Sequence, residues 1–147
     1  MAATRQARAK WNGDLATGSG EVSAVTSGKF SSLPVSWGAR TEAPQGKTSP
    51  EELLAAAHAS CFSMALAAGL AKGGTPPKRL EVTAAVMFDK VGDDWTVVSS
   101  ALDVTGEVPG IDAAAFAKAA EGAKDGCPIS RALKNNVKLS VRSTLAG

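Results

Sequence analysis

The sequence predicts an α+β fold with mostly antiparallel sheet. Three observations carry this. Strand-like and helix-like segments come in blocks rather than in strict alternation. One long apolar helix announces itself from Ser49 to about Lys72. A hairpin pattern follows it, with Leu80–Val91 and Trp95–Glu107 flanking the turn residues Gly92-Asp93-Asp94. A chain of 147 residues fits one domain, taken here as residues 1–147, and can bury a real core.

Residues 5–12 alternate polar and apolar (Gln6-Ala7-Arg8-Ala9-Lys10-Trp11), a strand pattern ended by the turn signal Asn12-Gly13-Asp14. Gly20 to Lys29 reads as a second strand with Val22 and Ala24 on one face. Phe30 to Gln45 holds Pro34, Trp37, Gly38, Arg40 and Pro44 without a clear period, and reads as a loop-rich stretch. The long helix has a helix-capping serine at Ser49, Pro50 at its first position and Glu52 three residues on, a capping box. It should stop at Gly73-Gly74-Thr75-Pro76-Pro77. Its middle is apolar or small on nearly every side, which predicts a helix buried all round. Asp112 should cap a second helix over Ala113–Lys124, a short helix should follow from Pro128, and Val137–Val141 alternates as a last strand.

Net charge is only +2, with both signs scattered, so no electrostatic footprint for nucleic acid exists. No apolar run reaches a membrane span without polar interruption, so no membrane partner is expected. The start, Met1 to Lys10, lacks the apolar core of a secretory signal. A cytoplasmic, reducing location is the expectation. There, cysteine pairs are more often catalytic or redox-sensing than structural. Covering a long apolar helix with so few aromatics (5%) asks for a second copy of the chain, and a two-fold dimer is the commonest solution.

Two cysteines are the strongest chemical feature: Cys61 inside the long helix, and Cys127 opening the segment G-C-P-I-S-R-A-L. Far apart in sequence, they can meet only through the fold. If they meet, a thiol–disulfide cycle follows, one thiolate attacking and the other resolving. If they do not, they are small packing hydrophobes. A thiolate needs a positive neighbour or a helix start. Arg40, Arg131 and His58 are the cationic candidates. Glu51 or Glu52 could orient an arginine by a two-point hydrogen bond. Cys127 sits before Pro128 at a helix start, which favours it as the attacking sulfur, whereas Cys61 depends on a cation; the residues leave the order open. His58 lies one turn before Cys61, which allows a Cys–His acyl hydrolase, but no third orienting residue accompanies them. A single histidine makes a metal site improbable and a buried, hydrogen-bonded role the better expectation. A non-enzymatic redox sensor would use the same two thiols.

Thr48–Leu66 (T-S-P-E-E-L-L-A-A-A-H-A-S-C-F-S-M-A-L) and Gly126–Leu133 (G-C-P-I-S-R-A-L) resemble the two signature regions of the OsmC/Ohr family. Trp11–Asp14 and Val108–Asp112 resemble its OsmC branch. The resemblance implies antiparallel sheets wrapped around long buried central helices in an intertwined homodimer, with two sites at the subunit interface. It implies a thiol-dependent peroxidase for organic hydroperoxides, and less well for hydrogen peroxide. Cys61 would be the peroxidatic cysteine, Cys127 the resolving one, Arg40 the site arginine and Glu51 its carboxylate. No cofactor is implied. The reductant would be an external dithiol such as dihydrolipoamide or a lipoylated protein. Glu51 and Cys61 lie ten positions apart on one helix, about 15 Å along its axis. An arginine at Cys61 would then be oriented by Glu51 of the partner chain.

Overall fold

In the computed structural model, which describes residues 1–147, the chain runs β1 (Ala7–Asn12), β2 (Ser19–Ala24), β3 (Leu33–Val35), α1 (Trp37–Thr41), α2 (Pro50–Lys72), β4 (Arg79–Val91), β5 (Asp94–Glu107), α3 (Ala113–Gly126), α4 (Pro128–Leu133) and β6 (Lys138–Leu145). The expected α+β class is what the chain adopts. It falls into two compact units, residues 1–53 and residues 54–147, so that the boundary lies in the first turn of α2.

The first unit is an antiparallel sheet in the order β1-β2-β3, followed by α1. Trp11 pairs with Gly20, where a Cβ would run into the Trp11 ring and the Lys10 carbonyl; only glycine lets the indole lie that close to the strand. The segment read as loop contains β3 and the one-turn helix α1. Ser36 caps α1 by accepting a hydrogen bond from the Ala39 N–H at 3.2 Å. Five residues are too few to show a helical period, which is why the sequence conceals α1. At the start of α2, Ser49 Oγ accepts the Glu52 N–H at 3.1 Å, as a capping box requires. The reciprocal half differs: the Glu52 carboxylate accepts from the Thr48 hydroxyl at 2.6 Å.

The second unit is the sheet β4-β5-β6 with α2, α3 and α4. β4 and β5 form the expected antiparallel hairpin, with a bulge at Met87/Phe88. β6 is longer than its alternating pattern suggested and pairs with β5 in parallel, because α3 and α4 carry the chain back to the sheet in the same direction. Phe62, Leu66 and Leu70 repeat every four residues along α2, so they line one side of it. They are buried with Leu102 and Val104 of β5 and with Phe116 and Ala120 of α3.

The expectation of a helix buried all round does not hold for one chain. Ser60, Met64, Ala68 and Ala71 are exposed, because one sheet and one helix cover a single side of α2. By length and composition α2 is also long and apolar enough to cross a membrane, which the sequence reading had excluded. Within it, Phe62, Leu66 and Leu70 belong to the core.

Gly106 of β5 lies under the ring of Phe116, and a Cβ there would collide with it. Phe116 is fully buried and cannot swing out. Gly106→Ala should therefore destabilise the fold by about 1–3 kcal/mol, the usual cost of overpacking. Urea unfolding checks this; an unchanged midpoint would mean the α3–sheet interface is looser than described.

Candidate active site

Cys127 ends one helix and begins the next. Its N–H closes α3 on the Ala123 carbonyl at 2.9 Å, and its carbonyl accepts the first bond of α4, from the Arg131 N–H at 2.9 Å. Pro128 takes the first position of α4, where a missing N–H costs nothing. This junction sets the Cys127 side chain into the core beside Phe62 and Leu66, fully buried. Cys61, one residue before Phe62 on α2, is only partly buried and packs against the same cluster. Both are free thiols.

The two sulfurs differ in character. Burial pushes the Cys61 thiol up, the Ile129 N–H pulls it back, and Cys127 adds to the rise. None of these groups carries a positive charge. For Cys127, burial again opposes the anion, but the Ser130 N–H, the Cys61 thiol, the Ser130 hydroxyl and the Ile129 N–H outweigh it and hold the thiol below its ordinary value. The sulfur makes no regular capping hydrogen bond, so these groups act on it as nearby dipoles. Within one chain Cys127 is thus the more acidic thiol and Cys61 the more accessible one.

Arg40, in the last turn of α1, is gripped by Glu51 of α2. Its Nε donates to Oε1 at 2.9 Å and to Oε2 at 3.1 Å, and its Nη2 lies 2.8 Å from Oε1. The Glu51 side chain is nearly buried (9% exposed) while that of Arg40 keeps 30%, so a nearly buried carboxylate sets the angle of a partly exposed guanidinium. Of the two carboxylates the sequence offered, Glu52 is committed to Thr48. The Arg40 head also lies 5.9 Å from the Trp37 ring centre. Trp11, Leu15, Val35, Trp37, Arg40 and Pro50 line a largely apolar cleft of about 330 Å³. Arg131 is exposed on α4.

His58 is fully buried, with Nδ1 2.6 Å from Ser100 Oγ and Nε2 2.7 Å from Ser130 Oγ. Serine hydroxyls take both ring nitrogens, which removes the imidazole as a direct base for a thiol. No group of three or more His, Cys, Asp or Glu side chains gathers to hold a metal ion. Ser100 and Ser130 escaped the sequence reading. Only their burial marks them, since a buried hydroxyl needs a partner.

The fold is α+β, and it brings two free thiols to one core cluster. A family model described as OsmC-like protein matches residues 43–142. The chain is 41% identical over 139 residues to Peroxiredoxin OsmC of Escherichia coli (strain K12), covering 95% of this chain and 96% of that one. The organic hydroperoxide resistance protein OhrB of Bacillus subtilis has the same fold, with a TM-score of 0.75 at 22% identity over 95% of this chain and 98% of that one. An OsmC-like protein of Vibrio cholerae superposes with a TM-score of 0.74 at 15% identity, over 97% of this chain and all (100%) of that one. The chain belongs to the OsmC family.

Burial lowers the pKa of His58 from its ordinary 6.5. The unfolded chain then binds the proton first, so stability from this group is full above about pH 6.5 and lost as pH falls below it. The unfolding midpoint should decline from about pH 6.5 to pH 5, before most carboxylates titrate, and His58→Gln should flatten that decline. An identical decline in the variant would assign it to other groups.

Proposed function

We propose that this protein is a thiol-dependent peroxidase that reduces organic hydroperoxides, and hydrogen peroxide less well, through a Cys61 sulfenic acid and a Cys61–Cys127 disulfide. That it is a cysteine-based peroxidase rests on its membership of the family and its 41% identity to a peroxiredoxin along nearly the whole chain. The observation that carries the mechanism is the pairing of a partly open thiol with a buried, more acidic one. A peroxide can reach Cys61 and not Cys127. Cys61 sulfur attacks the O–O bond, keeps one oxygen and releases alcohol or water. Cys127 then attacks the sulfenyl sulfur and displaces water. Its position inside the core keeps it from the oxidant and ready for its partner.

Cys61 must ionise to attack, and burial works against that. A guanidinium reverses the balance and steadies charge on the leaving oxygen. Arg40, oriented by Glu51, is the group proposed for this. Helix α2 is unbroken from Glu51 to Cys61, which separates them by about 15 Å along the axis and roughly 80° around it. A second copy, packed antiparallel on the uncovered side of α2, would bring its own Glu51 and Arg40 to this Cys61. The exposed Met64, Ala68 and Ala71 support such a homodimer, since an apolar helix face of this length asks for cover. The same reading takes residues 1–147 as one domain, in keeping with a match that spans 95% of the chain. An external dithiol must restore the thiols; dihydrolipoamide or a lipoylated protein is the reductant the family resemblance implies. A reducing compartment such as the cytoplasm suits two free thiols.

Cys61→Ser should abolish hydroperoxide turnover with the fold intact; turnover near the parent rate would remove Cys61 from the mechanism. Mixing Cys61→Ser chains with Glu51→Ala chains tests the shared site. A crossed dimer holds one site with neither defect, so activity should partly return. No recovery in heterodimers verified by mass would place Glu51 and Cys61 in one chain or exclude Glu51. The apolar cleft beside Arg40 predicts substrate preference. Burying about 100 Å² of alkyl or aryl surface is worth about 2.5 kcal/mol, which hydrogen peroxide does not offer. Cumene hydroperoxide should exceed hydrogen peroxide in kcat/KM by more than about tenfold. Equal values would deny the cleft a role.

A further inference from the structure

We propose that the β1–β2 turn is the specificity-determining element of the peroxide site: Asp14 locks it, so that Trp11 and Leu15 stand as fixed walls for a ring-sized apolar group on the hydroperoxide. The inference rests on the peroxidase reading for its substrate, and on this chain's own geometry for the residues and their parts. The cleft beside Arg40 takes its walls from β1, the β1–β2 turn, β3, α1 and the start of α2, and all of them belong to the first unit. At about 330 Å³ it stands at the small end of ligand-sized clefts.

Two of its wall residues are not core residues: Leu15 is 57% exposed and Trp11 42%. Both are nevertheless held in place. The Trp11 Nε1 donates to the Gly13 carbonyl at 3.0 Å, and the ring lies against Gly20 of β2. Leu15 is carried by a turn that Asp14 closes on itself. Asp14 Oδ1 accepts the Thr17 N–H at 2.8 Å, and the Thr17 hydroxyl lies 3.0 Å from Oδ1 and 2.9 Å from Oδ2. The Asp14 carbonyl accepts the Gly18 N–H at 3.0 Å. These bonds span Leu15 and Ala16, so the segment that bears the leucine is tied at both ends.

The chemistry follows from fixed apolar walls. A wall already in place loses little freedom when a ligand arrives. Two indoles, Trp11 and Trp37, line the same cleft, and aromatic pairs gain from offset-stacked or edge-to-face packing, so a ring suits it. Arg40 gives the peroxide oxygens a polar end to the same space. Hydrogen peroxide has no group for these walls. The turn therefore adds to an organic hydroperoxide what it cannot add to hydrogen peroxide. Asp14 touches no substrate and acts through Leu15; it is a positioning residue.

The test reads the ratio of kcat/KM for cumene hydroperoxide to that for hydrogen peroxide. Leu15→Ala should lower this ratio about fivefold, the worth of about 40 Å² of apolar contact, with the change in KM rather than in kcat. Asp14→Ala, which removes every side-chain tie to Thr17, should lower it at least as far. Asp14→Asn, whose amide oxygen still accepts the Thr17 N–H, should restore most of it. A turn that only supported the fold would lower both substrates together and leave the ratio alone. If either alanine variant keeps the parent ratio, the inference is overturned and the peroxidase reading stands. If the parent turns over neither peroxide, the reading falls, and binding judges the cleft. The probe is 2-phenyl-2-propanol, the alcohol that cumene hydroperoxide leaves, followed by tryptophan fluorescence because Trp11 and Trp37 both line the cleft. Leu15→Ala should weaken its binding about fivefold. Equal affinity in parent and variant would overturn the inference as well.

Discussion

The burial of one side of α2 is the constraint on which the rest of the structure depends. Phe62, Leu66 and Leu70 press that side into a core shared with β5 and α3. Each such side chain contributes about 1.5–3 kcal/mol by leaving water. Cys61 and Phe62 are neighbours, so seating Phe62 fixes where the Cys61 sulfur lies. Cys127 belongs to the same buried cluster. One packing event therefore brings together two thiols that lie far apart in sequence. It also keeps one of them accessible and the other sealed.

Polar ties sharpen what apolar packing only approximates. The His58 ring bridges β5 and α4 through Ser100 and Ser130, and no buried side-chain nitrogen or oxygen is left without a partner. Losing either serine would leave an imidazole nitrogen buried and unpaired, a cost of about 1–3 kcal/mol. Arg40 and Glu51 are tied by the same logic at the start of α2, where a nearly buried carboxylate holds a partly exposed guanidinium.

Much of this was legible in the residues. Ser49, Pro50 and Gly73 bound α2 because capping chemistry is local. Asp112 marked α3 for the same reason, its carboxylate accepting the Ala115 N–H at 2.7 Å. What escaped was non-local or too short. The parallel pairing of β6 with β5 depends on how α3 and α4 return the chain, which no strand pattern records. Helix α1 has a single turn. The uncovered side of α2 was hidden because alanine reads alike in a core and on a surface. At the site, both cysteines stood out, and the carboxylate beside Arg40 was left between Glu51 and Glu52 until geometry separated them. Ser100 and Ser130 look ordinary in sequence; only their burial against His58 gives them meaning.

The central claim is that one oxidising equivalent enters at Cys61 and ends as a bond between Cys61 and Cys127 of the same chain. Peptide mapping by mass spectrometry after a single equivalent of cumene hydroperoxide tests it most directly. The account predicts a chain lighter by two hydrogens, with the Cys61 and Cys127 peptides joined, and at early times an added oxygen on Cys61 alone. An oxygen retained on Cys127, or a disulfide linking two chains, would contradict it.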